Sequence, residues 1–215
     1  GNLPASDTRG ARSAGILTTT LDLDLQDAVA GIVRSHLPGL RRREASEAAV
    51  VGLENRTGAV RALCGSAGAG DPVQGINGAL VPRSCGSTLK PFIYLMALER
   101  RILTAASLLP DTPDAVLKVY PDWDPDNFNH RYLGPVRVRE ALANSLNVPA
   151  VLALNVAGPR RVFARLGDWG LNPEARTLED CGAGFVLGNL PVRLLDLSNA
   201  YVALARGGVY SPPRF

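Results

Sequence analysis

Lysine is nearly absent from this chain. Of 23 basic residues among 215, only Lys90 and Lys118 are lysines, and the rest are arginine. Histidine occurs twice, as His36 and His130, far apart and in dissimilar surroundings. The three cysteines, Cys64, Cys85 and Cys181, lack metal-ligand spacing and are odd in number. Neither a zinc site nor a disulfide framework is therefore expected. No run is long and apolar enough to span a membrane, and no signal-peptide pattern opens the chain. Basic stripes interleaved with aromatics are missing too. The densest basic cluster, Leu40 to Glu47 (LRRREASE), holds Glu44 and Glu47 and reads as a solvated face, so nucleic acid is not an expected partner. What is present is ordinary globular material: 46% hydrophobic residues, well mixed with charges that sum to +3. That length and mixture suit one domain with a sizeable core, or one domain and part of another.

Punctuation along the chain gives the organisation. Gly1 to Gly15 is rich in Gly, Ser, Ala and Arg, and residues 1–17 read as a linker or arm. Thr18 to Leu37 begins extended and becomes helical, with apolar positions at Leu25, Val29, Ile32 and Val33, and Pro38-Gly39 is expected to stop the helix. Glu47 to Gly65 reads as a β-hairpin, in which AAVVGL and AVRALC flank ENRTG. Ser66 to Gly78 is a loop. Ser87 to about Arg101 is expected as one helix. Leu108 to Pro135, with five prolines, is expected as a long irregular excursion. Short helices are expected over Val136 to Asn144, Pro149 to Val156 and Pro159 to Gly170. A longer one runs from Leu190 to Gly208 and is closed by Gly207-Gly208.

The first of the two lysines stands at the head of an apolar run, in RSCGSTLKPFIYLMALERR (Arg83 to Arg101). Gly86 permits a tight entry and Pro91 is tolerated only in a first turn, so Ser87 lies at or beside a helix N-terminus. Residues three apart share a helix face, which brings Lys90 within hydrogen-bond reach of Ser87. A serine hydroxyl needs a base to become a nucleophile. Burial and the positive helix end both disfavour a charged lysine, so Lys90 suits that task, whereas arginine does not lose its proton in proteins. The N–H of Ser87 would face outward as an oxyanion donor. Ser-x-x-Lys alone also occurs by chance in many chains. Cys85 is a rival nucleophile, with no nearby histidine to activate it, and reads better as packing.

A second polar pair lies in EALANSLNVPAVLAL. Pro149 biases Val148 away from the helical region, so Ser145 and Asn147 are expected in a loop between two helices, pointing to one side. There a hydroxyl can pass a proton and an amide can hold a substrate amide. Taken alone, the pair reads better as an ordinary polar interhelical turn.

Together the two motifs resemble the penicillin-binding proteins, whose catalytic set is S-x-x-K, S-x-N and K-T-G. TTLDLDLQDAV, AVVGLENRTGAVRALCG and INGALVPRSCGSTLKPFIYLMALE resemble successive segments of the class A transpeptidase domain. YPDWDPDNFNHRYLGPVRVREALANSLNVPAVLAL looks most like the 1C branch, and GAGFVLGNLPVRLLDLSNAYVALARGGVYSPP resembles the stretch before the third motif. The resemblance covers about Leu17 to Pro213. It implies an α+β, β-lactamase/transpeptidase-like fold, with residues 18–215 a partial transpeptidase domain and the hairpin part of its antiparallel sheet. Ser87 would be the acylated nucleophile, Lys90 its base, Ser145 the proton relay and Asn147 the group holding the substrate. The implied reaction is D,D-transpeptidation of peptidoglycan stem peptides ending in D-Ala-D-Ala, with β-lactams acylating the same serine. No cofactor and no metal are implied. The parent protein would carry a glycosyltransferase domain and a membrane anchor upstream and work on the periplasmic face of the inner membrane.

Two features depart from the family pattern. Cys85 is unexplained by it, and no K-T-G follows, since the chain has no lysine after Lys118. ARGG (Ala205 to Gly208) caps a helix, whereas that motif belongs on a strand. The chain is accordingly expected to stop before the strand that carries it and to be an impaired catalyst by itself. An exposed hairpin edge is expected to support a homo-oligomer. Two other classes fit part of the pattern. One is a serine β-lactamase-like hydrolase, for which Glu174 and Glu179 would have to activate water. The other is a non-catalytic penicillin-recognising sensor or scaffold, which would have no need of all four polar residues.

Overall fold

An aspartate divides the first extended run from the first helix. Asp22 is extended (φ −95°, ψ 111°), and its carboxylate accepts the Leu25 N–H at 3.0 Å, which starts α1, Leu23–Leu40. The computed structural model describes residues 17–66, 76–171 and 176–215. The predicted arm, apart from Leu17, and most of the Ser66 to Gly78 loop lie outside them. Pro38 does not stop α1. The helix continues to Leu40 and tightens into a 3-10 turn, Arg41–Arg43, before Glu44 closes it at φ 61°. A proline this near the C-terminal end removes only its own backward bond, and the residues after it can still complete the turn.

The predicted hairpin is present as β1, Val50–Leu53, antiparallel to β2, Val60–Cys64, with the register shifting between Gly52 and Leu53. The outer edge of β2 is closed by polar partners. Val60 donates to the Arg214 carbonyl and accepts from the Thr20 hydroxyl, each at 2.8 Å, and Asp22 N–H donates to the Arg61 carbonyl at 2.9 Å. The Gln26 carboxamide then stands in for a neighbouring strand. It accepts the Leu63 N–H at 2.8 Å and donates to the Leu63 carbonyl at 3.2 Å.

β3, Arg83–Ser84, leads into a 3-10 turn, Gly86–Leu89, and then α2, Lys90–Glu99. The single helix expected from Ser87 to Arg101 is thus two pieces, and it ends early because Arg101 turns to φ 57°. α2 is apolar on nearly every side, and Phe92, Ile93, Tyr94, Met96 and Ala97 are all buried. The irregular excursion is tied at its base by β4, Leu108–Asp111, paired antiparallel with β5, Gly134–Arg137. Prolines at both ends hid this pair, since Pro110 and Pro135 face each other within it. α3 (Val138–Ala143), α4 (Asn147–Ala157) and α5 (Pro159–Asp168) follow. After α6 (Leu178–Cys181), a 3-10 turn (Ala183–Leu187) leads to β6, Pro191–Val192, which pairs with β3. α7, Leu194–Ala205, ends at Gly207 and Gly208 (φ 68° and 95°) as expected, but the segment begins as strand rather than helix.

The result is an α+β fold in which, among the described residues, three two-stranded antiparallel sheets flank a helical core. α2 packs against α4, itself buried along most of its length, and the Phe92 ring meets Trp169 at 5.3 Å and Tyr201 at 5.1 Å. This pair of apolar helices sets the site, because the N-terminal ends of both carry its polar residues. Among the described residues no helix is long and apolar enough to cross a membrane.

Candidate active site

Ser87 is the second residue of the 3-10 turn and is exposed. Its N–H is among the first donors of that turn, which have no partner within it. The turn is clamped from the side. Gly86 sits at φ 56°, and the Ser84 hydroxyl donates to the Gly188 carbonyl at 2.6 Å. The Cys85 thiol donates to the Leu190 carbonyl at 3.5 Å, and the Tyr201 hydroxyl donates to the Thr88 carbonyl at 2.8 Å. Gly188 (φ 96°) approaches Gly86 so closely that no side chain fits between them. Sequence reasoning missed this clamp, and the two glycines were its only signal.

Lys90 is 1% exposed although it opens α2. Its side-chain nitrogen Nζ donates to the Ser145 carbonyl at 2.5 Å and to Asn147 Oδ1 at 2.6 Å, with the Ser145 hydroxyl at 3.3 Å. Burial pulls its pKa down to about 8. The contacts suit a neutral amine. Two N–H bonds serve the carbonyl and the amide oxygen, neither of which can donate, and the lone pair stays available to a hydroxyl proton. The expected direct bond to Ser87 is not made among the described residues. The link is through the backbone, Lys90 N–H to the Ser87 carbonyl, while the amine turns toward Ser145 and Asn147. A buried amine goes first to strong fixed acceptors, and a bond to an exposed hydroxyl is left to form with substrate.

Ser145 and Asn147 converge on Lys90, but only one of them lies in a loop. Ser145 has φ 53°, an uncommon conformation for a residue with a side chain. Asn147 is the first residue of α4, and Val148 is helical despite preceding Pro149. Pro149 is still in the first turn, where its missing N–H costs nothing, and this outweighs the bias it places on Val148. The Asn147 Nδ2 donates to the Asp126 carbonyl at 2.7 Å, which turns Oδ1 toward Lys90. A second N–H of the amide remains for a substrate carbonyl.

The excursion supplies residues that sequence reasoning did not single out. Asn127 is 2% exposed, and its Oδ1 accepts the Asn147 and Val148 N–H groups at 2.8 and 3.4 Å. Its Nδ2 donates to Asp111 Oδ1 at 2.8 Å and to the Arg131 carbonyl at 2.9 Å. The buried Asp111 also accepts the Leu133 N–H at 2.9 Å. The dense run of Asp, Asn and Pro was the available signal, but its pairing with α4 is long-range and invisible locally.

The remaining candidates lie apart from this chemistry. Burial raises the Cys85 thiol to about 11, so it is protonated at neutral pH. Glu179 is an exposed residue of α6 paired with Arg160 at 3.0 Å, and Glu174 lies outside the described residues. Lys118 is exposed and pairs with Asp114 at 3.1 Å.

Comparison with known proteins adds to this geometry. The family model described as penicillin binding protein transpeptidase domain matches residues 48–215. Penicillin-binding protein 1C of Escherichia coli K12 is 34% identical over 204 residues, covering 93% of this chain and 25% of that protein. Penicillin-binding protein 1F of Bacillus subtilis 168 is 32% identical, covering 91% of this chain and 26% of that protein. The chain therefore spans about a quarter of the length of these relatives. Among solved structures, the penicillin-binding protein PonA1 from Mycobacterium tuberculosis superposes with a TM-score of 0.77 at 29% identity, covering 93% of this chain and 53% of that one. PonA1 in complex with penicillin V gives a TM-score of 0.72 at 28% identity.

Proposed function

The chain belongs to the transpeptidase domain family of class A penicillin-binding proteins, and on that premise we propose that it cross-links peptidoglycan stem peptides through an acyl-enzyme on Ser87. In this reading the neutral Lys90 amine takes the Ser87 hydroxyl proton as Oγ attacks the carbonyl of the penultimate D-alanine. The C–N bond to the terminal D-alanine breaks, and its nitrogen receives a proton by way of the Ser145 hydroxyl. An amine of a neighbouring stem then attacks the ester, restores the serine and leaves a new amide bond. Asn147 holds the substrate backbone, and the Ser87 N–H faces the developing oxyanion. β-Lactams acylate the same oxygen. The whole protein is proposed to be membrane-anchored, to carry a glycosyltransferase domain and to act on the extracytoplasmic face.

The observation that carries the reading is the triple hold on one buried amine: Lys90 Nζ against the Ser145 carbonyl, the Ser145 hydroxyl and Asn147 Oδ1. A scaffold gains nothing from burying a lysine without a carboxylate partner, because burial disfavours its charge. Intact mass spectrometry of the full-length protein with a penicillin tests the reading. One adduct is expected, absent in Ser87→Ala and retained in Cys85→Ala. An adduct that persists in Ser87→Ala would overturn it.

A further inference from the structure

We infer that Asn127 is a positioning residue for acyl transfer: its buried carboxamide joins the loop between β4 and β5 to the first turn of α4 and so holds Asn147 and Ser145 on Lys90. The inference rests on the reading of Ser87 and Lys90 given above. α4 begins at Asn147 without a capping bond from its own N-cap residue, Leu146. Asn127 supplies that bond from 20 residues away, its Oδ1 accepting the Asn147 N–H at 2.8 Å and the Val148 N–H at 3.4 Å. The neighbouring Asp126 carbonyl then takes the Asn147 Nδ2 at 2.7 Å. Two consecutive loop residues thus fix both the backbone and the side chain of Asn147. With Nδ2 committed to Asp126, the amide oxygen is the atom left to meet Lys90.

Asn127 is itself held from behind. Asp111 is fully buried at the end of β4 and accepts its Nδ2 at 2.8 Å, and the Arg131 carbonyl accepts the same group at 2.9 Å. Among the described residues Asp111 has no arginine or lysine partner, and its acceptors serve Asn127 and the Leu133 N–H. Ala115, Val116, Tyr120, Trp123 and Tyr132 anchor the rest of this loop on the core, but the adjacent Phe128 is 99% exposed and gives Asn127 no apolar anchor of its own. A polar chain therefore runs from Asp111 through Asn127 to the Asn147 N–H, while the Asp126 carbonyl turns the Asn147 amide oxygen to Lys90, and Asp111 sets the donor and acceptor sense of Asn127.

That sense gives the test. Asn127→Asp keeps the acceptor for α4 but sets a second carboxylate against Asp111. Adding Asp111→Asn restores a donor between the two positions and leaves an acceptor for the Leu133 N–H. Penicillin acylation of Ser87 is measured in the full-length protein at a temperature where melting curves show every variant folded. Asn127→Ala and Asn127→Asp are expected to acylate on the order of 10²-fold more slowly, the penalty typical of misplacing a catalytic group by about 1 Å. The double swap is expected to recover part of that loss, since it restores the bond between the two positions while the Arg131 carbonyl stays without its Asn127 donor. A folded Asn127→Ala acylated at the wild-type rate overturns the inference. So does a double swap that restores the melting temperature but not the rate, since Asn127 would then only stabilise the fold. If Asn127→Ala does not fold, the Asn127→Asp and double-swap pair decides alone. Failure of the underlying reading looks different: the wild type takes no adduct, or Ser87→Ala keeps it.

Discussion

A Cβ on Gly188 would lie 2.1 Å from the backbone nitrogen of Gly86 and 2.2 Å from its Cα. Both glycines have positive φ, 96° and 56°, and the contact is backbone against backbone, so no flexible side chain can yield. Gly188→Ala must therefore move the turn that carries Ser87. We expect it to destabilise the fold by roughly 1–3 kcal/mol, the usual cost of overpacking, and to slow penicillin acylation. Gly182→Ala is the control. It too sits at positive φ (56°), but its Cβ would meet nothing within 4 Å. It should lose stability and keep the acylation rate of its folded fraction. A Gly188→Ala protein acylated as fast as Gly182→Ala would show that the glycine contact does not position Ser87.

Lys90→Arg is expected to be as damaging to acylation as Lys90→Ala. Arginine keeps the positive charge and can still donate toward Ser145 and Asn147, but it has no accessible neutral form. Stopped-flow acylation with a chromogenic cephalosporin separates the two roles. A near-normal rate in Lys90→Arg would mean that Lys90 acts through charge and hydrogen bonding rather than as a base.

Much of this site was legible locally. Ser87 and Lys90 are three residues apart around one helix start, and the spacing, Gly86 and Pro91 are all local signals. The hairpin was legible for the same reason, since two apolar runs around ENRTG need only each other. What stayed hidden was non-local. The β3–β6 pair joins residues more than a hundred positions apart through two residues on each side, too short for any period to register. The Asn127 cap on α4 is a polar contact between a proline-rich loop and a distant helix end. Pro149 misled in the other direction. Its influence on Val148 is real, but the first turn of a helix has no use for the missing N–H, so the helix starts two residues sooner.

Cys85 is expected to be slow toward alkylation despite lying two residues from the nucleophile. Its thiol is raised to about 11 by burial and is turned to the Leu190 carbonyl. At neutral pH the thiolate is then a very small fraction. Iodoacetamide labelling at about pH 7.5, followed by peptide mapping, should modify Cys85 far more slowly than free cysteine. Labelling at the rate of a free thiol would place it among the reactive groups of the site.

The hairpin has two edges of opposite character. Beyond β2 the edge is closed by Thr20, Asp22, Gln26 and Arg214. Beyond β1, among the described residues, no strand pairs. An unpaired edge is a template for another chain. We expect the 215-residue chain to self-associate with rising concentration in sedimentation velocity, and Val51→Pro, on the open strand, to weaken that association. A chain that stays monomeric at high concentration would remove the edge as a contact.

Acylation should follow the titration of Lys90. Its folded value, about 8, lies below the ordinary 10.5 because burial disfavours the ammonium. The rate should therefore rise through about pH 8 and level off above it, as the neutral amine becomes the main form. Stability carries the same sign. Between about 8 and 10.5 the unfolded chain binds more protons at this residue than the folded one, so the Lys90 contribution grows more favourable as pH rises. It is most favourable above 10.5, and its cost is complete below 8. Lys90→Met removes the titration while keeping much of the side-chain volume. The stability advantage of Lys90→Met over the wild type should be largest near neutral pH and shrink as pH climbs. Denaturant midpoints at several pH values measure that difference, and penicillin acylation at the same values measures the rate. An acylation rate that stays flat across this range, with a stability difference independent of pH, would mean that Lys90 does not titrate there and is not the base.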